Sequence, residues 1–358
     1  MDTNGTLRGM RRFLLFFSVA FLVGFSLLIG GTAILASGDF LSKTISLIPG
    51  SQGYSERFDG RVAGDFAVAA QPVISEQRAS SSEFRPIRKD GIGTFAVPTA
   101  HAAIILDAGT ETVLFESSAD ERRSIASITK LFTAMIVVET VKDFDEPVTI
   151  TEDSVYAEGT RVGCPRSGYC ISQRLEVGEK ISVRSLLKAA LMNSANDAAI
   201  ALAIHVDGSQ ERFADRMNAR AKELGMENSH FCTSSGLELD GREEECYSSA
   251  RDIAKAAAHA LEYDVLWNIM RTGETTITSV DGAYVHEIFN TNQLLGQYPN
   301  LIGTKTGFTP RSGYSLLAVA EDPADRKHRL IAVVLDDAYR WDSIQNMFAW
   351  GFGSFDWR

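Results

Sequence analysis

The sequence predicts an α+β domain in which an antiparallel sheet is flanked by helices and an all-helical subdomain is inserted between its strands. Three observations lead to this prediction. Short apolar, strand-like runs lie near residue 102 and again after residue 313, helix-periodic segments fill the interval, and a charged turn separates the two C-terminal runs. Segments that are far apart in the chain must therefore meet in one sheet.

The predicted elements follow one another from residue 101 onwards. The first strand turns at Ala108–Thr110 into a short return strand. Helices are indicated by apolar periodicity, and Gly225 follows the end of one of them. The predicted strands are Ala102–Leu106, Thr112–Phe115, Tyr314–Ala320 and Leu330–Leu335, and the predicted helices are Ser127–Val141, Val183–Met192, Ala195–His205, Gln210–Leu224, Ser249–Leu261 and Trp341–Phe352.

The N-terminal part of the chain differs in character. Residues 13–38 carry no charge and follow three arginines, and about 20 apolar residues suffice to span a bilayer with basic flanks left inside. We therefore expect a cytoplasmic tail (1–12), a transmembrane anchor (13–38) and the rest of the chain outside the cytoplasm; a cleaved signal peptide is the alternative. Residues 39–97 lack a sustained period and predict a poorly ordered linker before a folded domain at 98–358.

Composition excludes several classes of function. The net charge of −11 argues against nucleic acid as a partner. The four cysteines, Cys164, Cys170, Cys232 and Cys246, allow three disulfide connectivities, of which we expect the two local pairs. Neither C-x-x-C nor H-E-x-x-H occurs, so we expect no metal, and no cofactor is indicated.

The first chemical signal is the S-x-x-K pattern of Ser127 and Lys130. At this spacing both side chains lie on one side of a helix, and a lysine can activate a hydroxyl if burial or a nearby cation lowers its pKa. The pattern alone is weak, because Ser185 and Lys188 repeat it inside another predicted helix. We interpret that second match as ordinary amphipathic sequence.

Two further motifs complete the set. Ser194 and Asn196 form the chain's only S-x-N, at a break between helices where polar side chains can point into a cleft; a helix cap is the alternative interpretation. Lys305, Thr306 and Gly307 form its only K-T-G; a strand with these residues can hold a carboxylate, and glycine permits close approach of a substrate backbone. The order S-x-x-K, S-x-N, K-T-G singles out Ser127, since Ser185 stands only nine residues before Ser194.

This ordered set resembles that of the serine-type D-Ala-D-Ala carboxypeptidases, the low-molecular-mass penicillin-binding proteins of the β-lactamase/transpeptidase-like superfamily. The similarity covers about residues 98–353 and implies that superfamily's fold for a catalytic, penicillin-binding domain at 98–358. It is carried by the segments Ala126–Ala134, Ser194–Ala199, Ser248–Ala254 and Gly303–Thr309.

The resemblance implies a role for each motif residue. Ser127 would attack the carbonyl and become an acyl ester, Lys130 would accept its proton, and Ser194 would relay a proton to the leaving group. Asn196 would contact the substrate amide.

The remaining implied roles concern substrate binding. Lys305 and Thr306 would hold the terminal carboxylate beside Gly307. The backbone N–H groups of Ser127 and Phe308 would form an oxyanion hole. Arg340 resembles a family arginine near the site, with a structural salt bridge as the alternative.

The implied activity is release of terminal D-alanine from peptidoglycan stem peptides, with β-lactams as inhibitors. A DD-endopeptidase that cuts cross-links would use the same residues. A β-lactamase is disfavoured because no Glu-x-x-Leu-Asn string occurs, and a non-catalytic wall-binding homologue because both Ser127 and Lys130 are present. The cysteine-bearing loops Arg161–Cys170 and Glu238–Cys246 have no counterpart in the pattern, which leaves substrate preference open.

Overall fold

Five antiparallel strands form the central sheet, and helices cover both of its faces. The computed structural model describes residues 84–165 and 169–358. In spatial order the strands are β3 (Val113–Ser117), β2 (Ala102–Asp107), β10 (Arg329–Leu335), β9 (Gly313–Glu321) and β8 (Leu301–Thr309). Strand β2 thus pairs with β10 across more than 200 intervening residues, which confirms the predicted α+β class.

The other described elements lie around this sheet. Three pairs of short strands and eight α-helices complete the described part of the chain, together with single turns of 3-10 helix at Ala126–Ile128 and Glu243–Glu245. The short strands are β1 (Pro86–Arg88), β4 (Pro147–Thr149), β5 (Lys180–Ser182), β6 (Glu274–Thr278), β7 (Val285–Phe289) and β11 (Phe355–Trp357). The helices are α1 (Thr129–Thr140), α2 (Glu152–Val155), α3 (Val183–Met192), α4 (Asn196–Asp207), α5 (Gln210–Glu223), α6 (Ala250–Ala260), α7 (Asp264–Met270) and α8 (Arg340–Ser354).

Strand β2 shows how the sequence produces two cores. Its six residues are all buried, because alternate side chains point to opposite faces and each face is covered. Ile104 packs into the core shared with the inserted helices, whereas Ile105 packs into the core under α8, against Met347 and Phe348. The run of consecutive apolar residues therefore reflects a central strand with helices on both sides.

Helix boundaries follow local capping. The Ser209 hydroxyl accepts a hydrogen bond from the Arg212 amide (3.3 Å) at the start of α5, and the Ser249 hydroxyl accepts one from the Asp252 amide (3.1 Å) at the start of α6. Gly208 adopts φ 78° after α4, a left-handed conformation that glycine tolerates without strain. The predicted helices agree with the observed ones to within about two residues, the usual uncertainty of helix ends.

Two predictions need correction. The helix predicted from Ser127 begins instead as the 3-10 turn Ala126–Ile128, because Ala126 takes the left-handed φ of 47° and the α-helix can start only at Thr129. Residues 84–97, expected to belong to the linker, carry β1, which pairs antiparallel with β11. Order therefore begins before residue 98, since Phe95 stacks on Trp350 with ring centroids 4.8 Å apart.

The predicted tail, anchor and most of the linker lie outside the described residues. Within the two described stretches, no helix has the length and apolar character needed to cross a bilayer.

Candidate active site

The nucleophile candidate Ser127 lies in a tight turn between two glycines. A Cβ atom on Gly236 would lie 2.0 Å from the Ala126 carbonyl oxygen, and one on Gly307 would lie 2.5 Å from the Ile125 carbonyl oxygen. Real Cβ atoms do not approach so closely, so both positions require glycine. The turn that presents Ser127 is therefore wedged between the loop at Gly236 and strand β8.

Lys130 lies one turn after Ser127 and is completely buried, with an exposed fraction of 0%. Its Nζ lies 2.8 Å from Ser127 Oγ, 2.6 Å from Asn196 Oδ1 and 2.7 Å from the Ser235 carbonyl oxygen. Burial, reinforced by the nearby charge of Lys305, lowers the pKa of Lys130 well below its usual value. The amine can therefore lose its proton and face the serine hydroxyl with a lone pair.

Ser194 and Asn196 lie at the junction of α3 and α4. Ser194 adopts the left-handed φ of 59°, which breaks the helical run and exposes the start of α4 to the site. The Asn196 amide is oriented from both ends, because its oxygen accepts from Lys130 and its nitrogen donates to the Glu158 carbonyl oxygen at 2.6 Å. The predicted break between helices is thus the point at which two polar side chains enter the site.

Lys305 reaches the site from strand β8, the edge strand of the sheet. Its exposed fraction is only 1%, and its Nζ donates to Ser194 Oγ at 2.9 Å and to the Thr306 carbonyl oxygen at 3.0 Å. Burial, together with the charge of Arg340, lowers the pKa of Lys305 to about 7. A substrate carboxylate bound here would favour the charged form of this amine.

Arg340 supports β8 from behind. Its Nη1 donates to the carbonyl oxygens of Gly307 (3.0 Å) and Ser315 (3.1 Å), and its guanidinium lies over the rings of Tyr314 and Trp341, 5.1 Å from each centroid. Burial lowers the pKa of Arg340. These contacts fix the backbone of Gly307, and Arg340 forms no salt bridge with another described residue, the alternative considered from the sequence.

Phe308 follows Gly307 on β8. The residue is 52% exposed, and its ring stacks on Tyr314 of β9, with centroids 4.5 Å apart. Thr306 extends toward Thr291, with their hydroxyl oxygens 3.1 Å apart. Lys305, Thr306, Gly307 and Phe308 therefore present one continuous edge beside the nucleophile turn.

The two local disulfides that we expected are present, Cys164–Cys170 and Cys232–Cys246. Just before the first disulfide, the Val162 amide donates to both carboxylate oxygens of Asp197 in α4 at 3.0 Å. Burial raises the pKa of Asp197 to about 6 against the lowering effect of these hydrogen bonds. The second disulfide closes the loop that contains Gly236 and therefore lies beside the nucleophile turn.

The structure brings the three motifs together, but several contributors had no sequence signal. Lys130 contacts Ser127 and Asn196, and Lys305 contacts Ser194. The Ser235 carbonyl that holds Lys130 was missed, because a backbone oxygen leaves no mark on residue type. The rival Ser185 shares a hydrogen bond with Ser182 (3.0 Å) at the start of α3, which agrees with its interpretation as ordinary helical sequence.

Comparison with known proteins gives the class to which this fold and site correspond. The chain belongs to the D-alanyl-D-alanine carboxypeptidase family, whose sequence model matches residues 95–339. It is similar to the D-alanyl-D-alanine carboxypeptidase DacC of Escherichia coli, with 35% identity over 268 residues that cover 72% of this chain and 62% of DacC. The alignment therefore spans about three fifths of that relative's length.

One further relative and one solved structure are also similar to this chain. A D-alanyl-D-alanine endopeptidase of Pseudomonas aeruginosa is 33% identical over 247 residues, which cover 68% of this chain and 74% of that protein. Among solved structures, penicillin-binding protein D2 of Listeria monocytogenes, in its ampicillin-bound form, superposes with a TM-score of 0.60. Its sequence identity is 30%, and the match covers 73% of this chain and 100% of that one.

Proposed function

We propose that the protein is a serine DD-peptidase that releases terminal D-alanine from peptidoglycan stem peptides through an acyl-enzyme on Ser127. One observation carries this proposal: the fully buried Lys130 amine lies 2.8 Å from the Ser127 hydroxyl and is held there by two further oxygens. A neutral Nζ has two N–H groups for Asn196 and the Ser235 carbonyl. Its lone pair is then left for the serine proton.

In acylation, Ser127 Oγ bonds to the carbonyl carbon of the penultimate D-alanine while its proton passes to Lys130 Nζ. The negative charge that develops on the carbonyl oxygen would be stabilised by the backbone N–H groups of Ser127 and Phe308, each such donor being worth about 10²–10³ in rate in other enzymes. The C–N bond then breaks, and the proton reaches the leaving amine through Ser194. The serine ester remains and D-alanine departs.

Substrate binding would use the edge of β8. Lys305 and Thr306 would hold the terminal carboxylate, beside the backbone of Gly307 that Arg340 supports from behind. The side-chain NH₂ group of Asn196 would donate a hydrogen bond to the substrate amide. Water then attacks the ester carbon while one of its protons passes to Lys130 Nζ. The bond to Ser127 Oγ breaks, and Lys130 returns that proton to the serine oxygen.

The decisive test is covalent labelling with a fluorescent penicillin. Ser127→Ala is expected to abolish labelling, and Lys130→Ala should fold but acylate far more slowly. Ser185→Ala is the matched control, because it removes the serine of the other S-x-x-K pattern, and it should label as the wild type does. Labelling that persists in Ser127→Ala would sink the assignment.

The second candidate is a DD-endopeptidase, favoured by the similarity to the Pseudomonas endopeptidase. The two are separated by incubating the protein with a peptide ending in D-Ala-D-Ala and with a cross-linked dimer. We expect D-alanine from the peptide; cleavage of the dimer alone would identify an endopeptidase. The β-lactamase alternative predicts rapid loss of the penicillin label, and the non-catalytic wall-binding alternative predicts no label.

The proposal extends to location. The apolar residues 13–38 would anchor the chain in the cytoplasmic membrane, with residues 1–12 inside and the catalytic domain outside the cytoplasm, where disulfides persist. Protease protection in intact cells would test this arrangement. A catalytic domain outside the cytoplasm should be digested once added protease reaches the outer face of the cytoplasmic membrane.

A further inference from the structure

Three segments that are distant in the sequence meet at Ser127: the nucleophile turn, the loop at Gly236 and strand β8. The turn itself packs against the loop at Gly236 and against β8 at Gly307, in the close approaches described above. Under the proposed function, the oxyanion hole would take one N–H from the turn and one from β8. The distance between these two segments would therefore decide whether both donors can reach the same oxygen.

Glu238 joins these two segments directly. Its Oε1 accepts hydrogen bonds from Ser124 Oγ at 2.5 Å and from Thr309 Oγ1 at 2.7 Å. Ser124 precedes the nucleophile by three residues, and Thr309 follows Phe308 by one. The Thr309 hydroxyl also accepts from the Ser312 amide at 3.0 Å, so its single hydrogen is free to point at Glu238.

The loop that carries Glu238 is itself rigidly held. The Cys232–Cys246 disulfide closes it, and Thr233 Oγ1 donates to the Leu237 carbonyl at 2.9 Å while it accepts from the Gly236 amide at 3.1 Å. Its Ser235 carbonyl also holds Lys130. These contacts therefore hold the Glu238 carboxylate in a fixed position.

The turn needs such support because its backbone is strained. Ala126 adopts φ 47°, a conformation that costs an L-residue about 1–2 kcal/mol and persists only when its surroundings enforce it. Contacts at Gly236 and Gly307 block the turn from moving inward, but steric contact cannot stop it from moving away. The hydrogen bonds that Glu238 accepts from Ser124 and Thr309 hold the turn and β8 together.

We propose that Glu238 is a positioning residue for acylation, which sets the spacing between the Ser127 turn and Phe308 by accepting hydrogen bonds from Ser124 and Thr309. This inference rests on the proposed function. Glu238 acts through the two hydroxyls and takes no part in bond making. Removing it should leave substrate binding at Lys305 intact and weaken stabilisation of the tetrahedral intermediate.

The experiment compares Glu238→Ala with Glu238→Gln in the full-length protein. The glutamine amide oxygen can accept both hydroxyl hydrogens, so Glu238→Gln should retain most of the wild-type rate of acylation by a fluorescent penicillin. Glu238→Ala should acylate about tenfold to a hundredfold more slowly, the scale of loss from a misplacement of about 1 Å. Affinity for a boronic acid that forms a tetrahedral serine adduct should fall in parallel, with KM for the D-Ala-D-Ala peptide nearly unchanged.

The matched control is Glu244→Ala. Glu244 belongs to the same loop but forms an exposed ion pair with Arg311 at 2.6 Å, so its loss should not change acylation. If Glu238→Ala fails to fold, Ser124→Ala and Thr309→Val each remove one donor and should each slow acylation.

Wild-type acylation rates in Glu238→Ala, or in both single-donor variants, would overturn the positioning role. So would an equal loss in Glu238→Ala and Glu238→Gln accompanied by a raised KM, which would indicate a charge that touches substrate. Failure of the proposed function looks different, because the wild-type protein itself would then show no label on Ser127.

Discussion

At the scale of single residues, the site depends on two buried amines with different surroundings. Lys130 contacts three oxygens, and burial lowers its pKa well below the usual value. Burial and the nearby charge of Arg340 lower the pKa of Lys305 to about 7. The charge of Lys305 adds to the effect of burial on Lys130, because like charges repel. The pair can therefore divide the labour between proton acceptance and carboxylate binding.

This coupling predicts a pH effect. The positive Lys305 lowers the pKa of Lys130, so Lys305→Gln should raise the pKa of Lys130 and leave less neutral amine at a given pH. The acid limb of the pH profile of acylation should then move to higher pH. The measurement is the second-order rate of fluorescent-penicillin labelling across pH.

Lys305→Arg serves as the control, because it keeps the charge and should keep the position of the limb even if the rate falls. A Lys305→Gln profile that superimposes on that of the wild type after scaling would contradict the coupling.

At the scale of elements, the sequence could predict what periodicity and order determine. The helix Val183–Met192 and the strand Leu330–Leu335 were found within a residue of their observed ends, and motif order chose Ser127 over Ser185. The 3-10 turn at Ala126 could not be predicted, since it exists only because two distant glycines let other segments press against it. The role of Glu238 could not be predicted for the same reason, because its hydrogen-bond partners Ser124 and Thr309 come from distant parts of the chain.

The loop beside the nucleophile offers a matched pair of glycine substitutions. Gly236 (φ 80°) and Gly241 (φ 75°) both require a left-handed backbone, so alanine should cost about 1–2 kcal/mol at either position. A Cβ at Gly236 would also collide with the Ala126 carbonyl, whereas none of the described atoms lies within 4 Å of a Cβ at Gly241. We expect Gly236→Ala to lower the acylation rate by about a hundredfold and Gly241→Ala to leave it nearly unchanged.

Thermal unfolding and labelling rates of both variants check this prediction. Similar losses of rate in the two variants would mean that backbone strain, and not the collision with the nucleophile turn, governs activity at this loop.

At the scale of the whole domain, residues 84–97 pack against the C-terminal elements α8 and β11. Strand β1 pairs with β11, and Phe95 packs between Trp350 of α8 and Phe115 of β3. The sequence predicted a linker here because a three-residue strand and one anchoring aromatic ring produce no detectable period. Their stability comes from tertiary contacts alone.

Phe95→Ala should therefore destabilise the domain without changing its chemistry. Loss of a partly buried aromatic ring with two ring partners is expected to cost about 2 kcal/mol. Calorimetry should show a lower melting temperature, with an unchanged labelling rate at temperatures where the variant is folded. Ile87→Ala on the same segment, where the side chain is 50% exposed, should change the melting temperature little; an equal shift would contradict the role of Phe95.

The pairing of β2 with β10 has a consequence for folding during synthesis. The ribosome makes β2 more than 200 residues before β10. Until β10 has been made, the backbone N–H and C=O groups along one edge of β2 lack their hydrogen-bond partners. Pairings between such distant segments form slowly, and the unfinished chain exposes surfaces that aggregate. Lys305 is also made long after Ser127, so a nascent chain that already contains Ser127 lacks the amine of β8, and under the proposed function acylation must wait until β8 has been made.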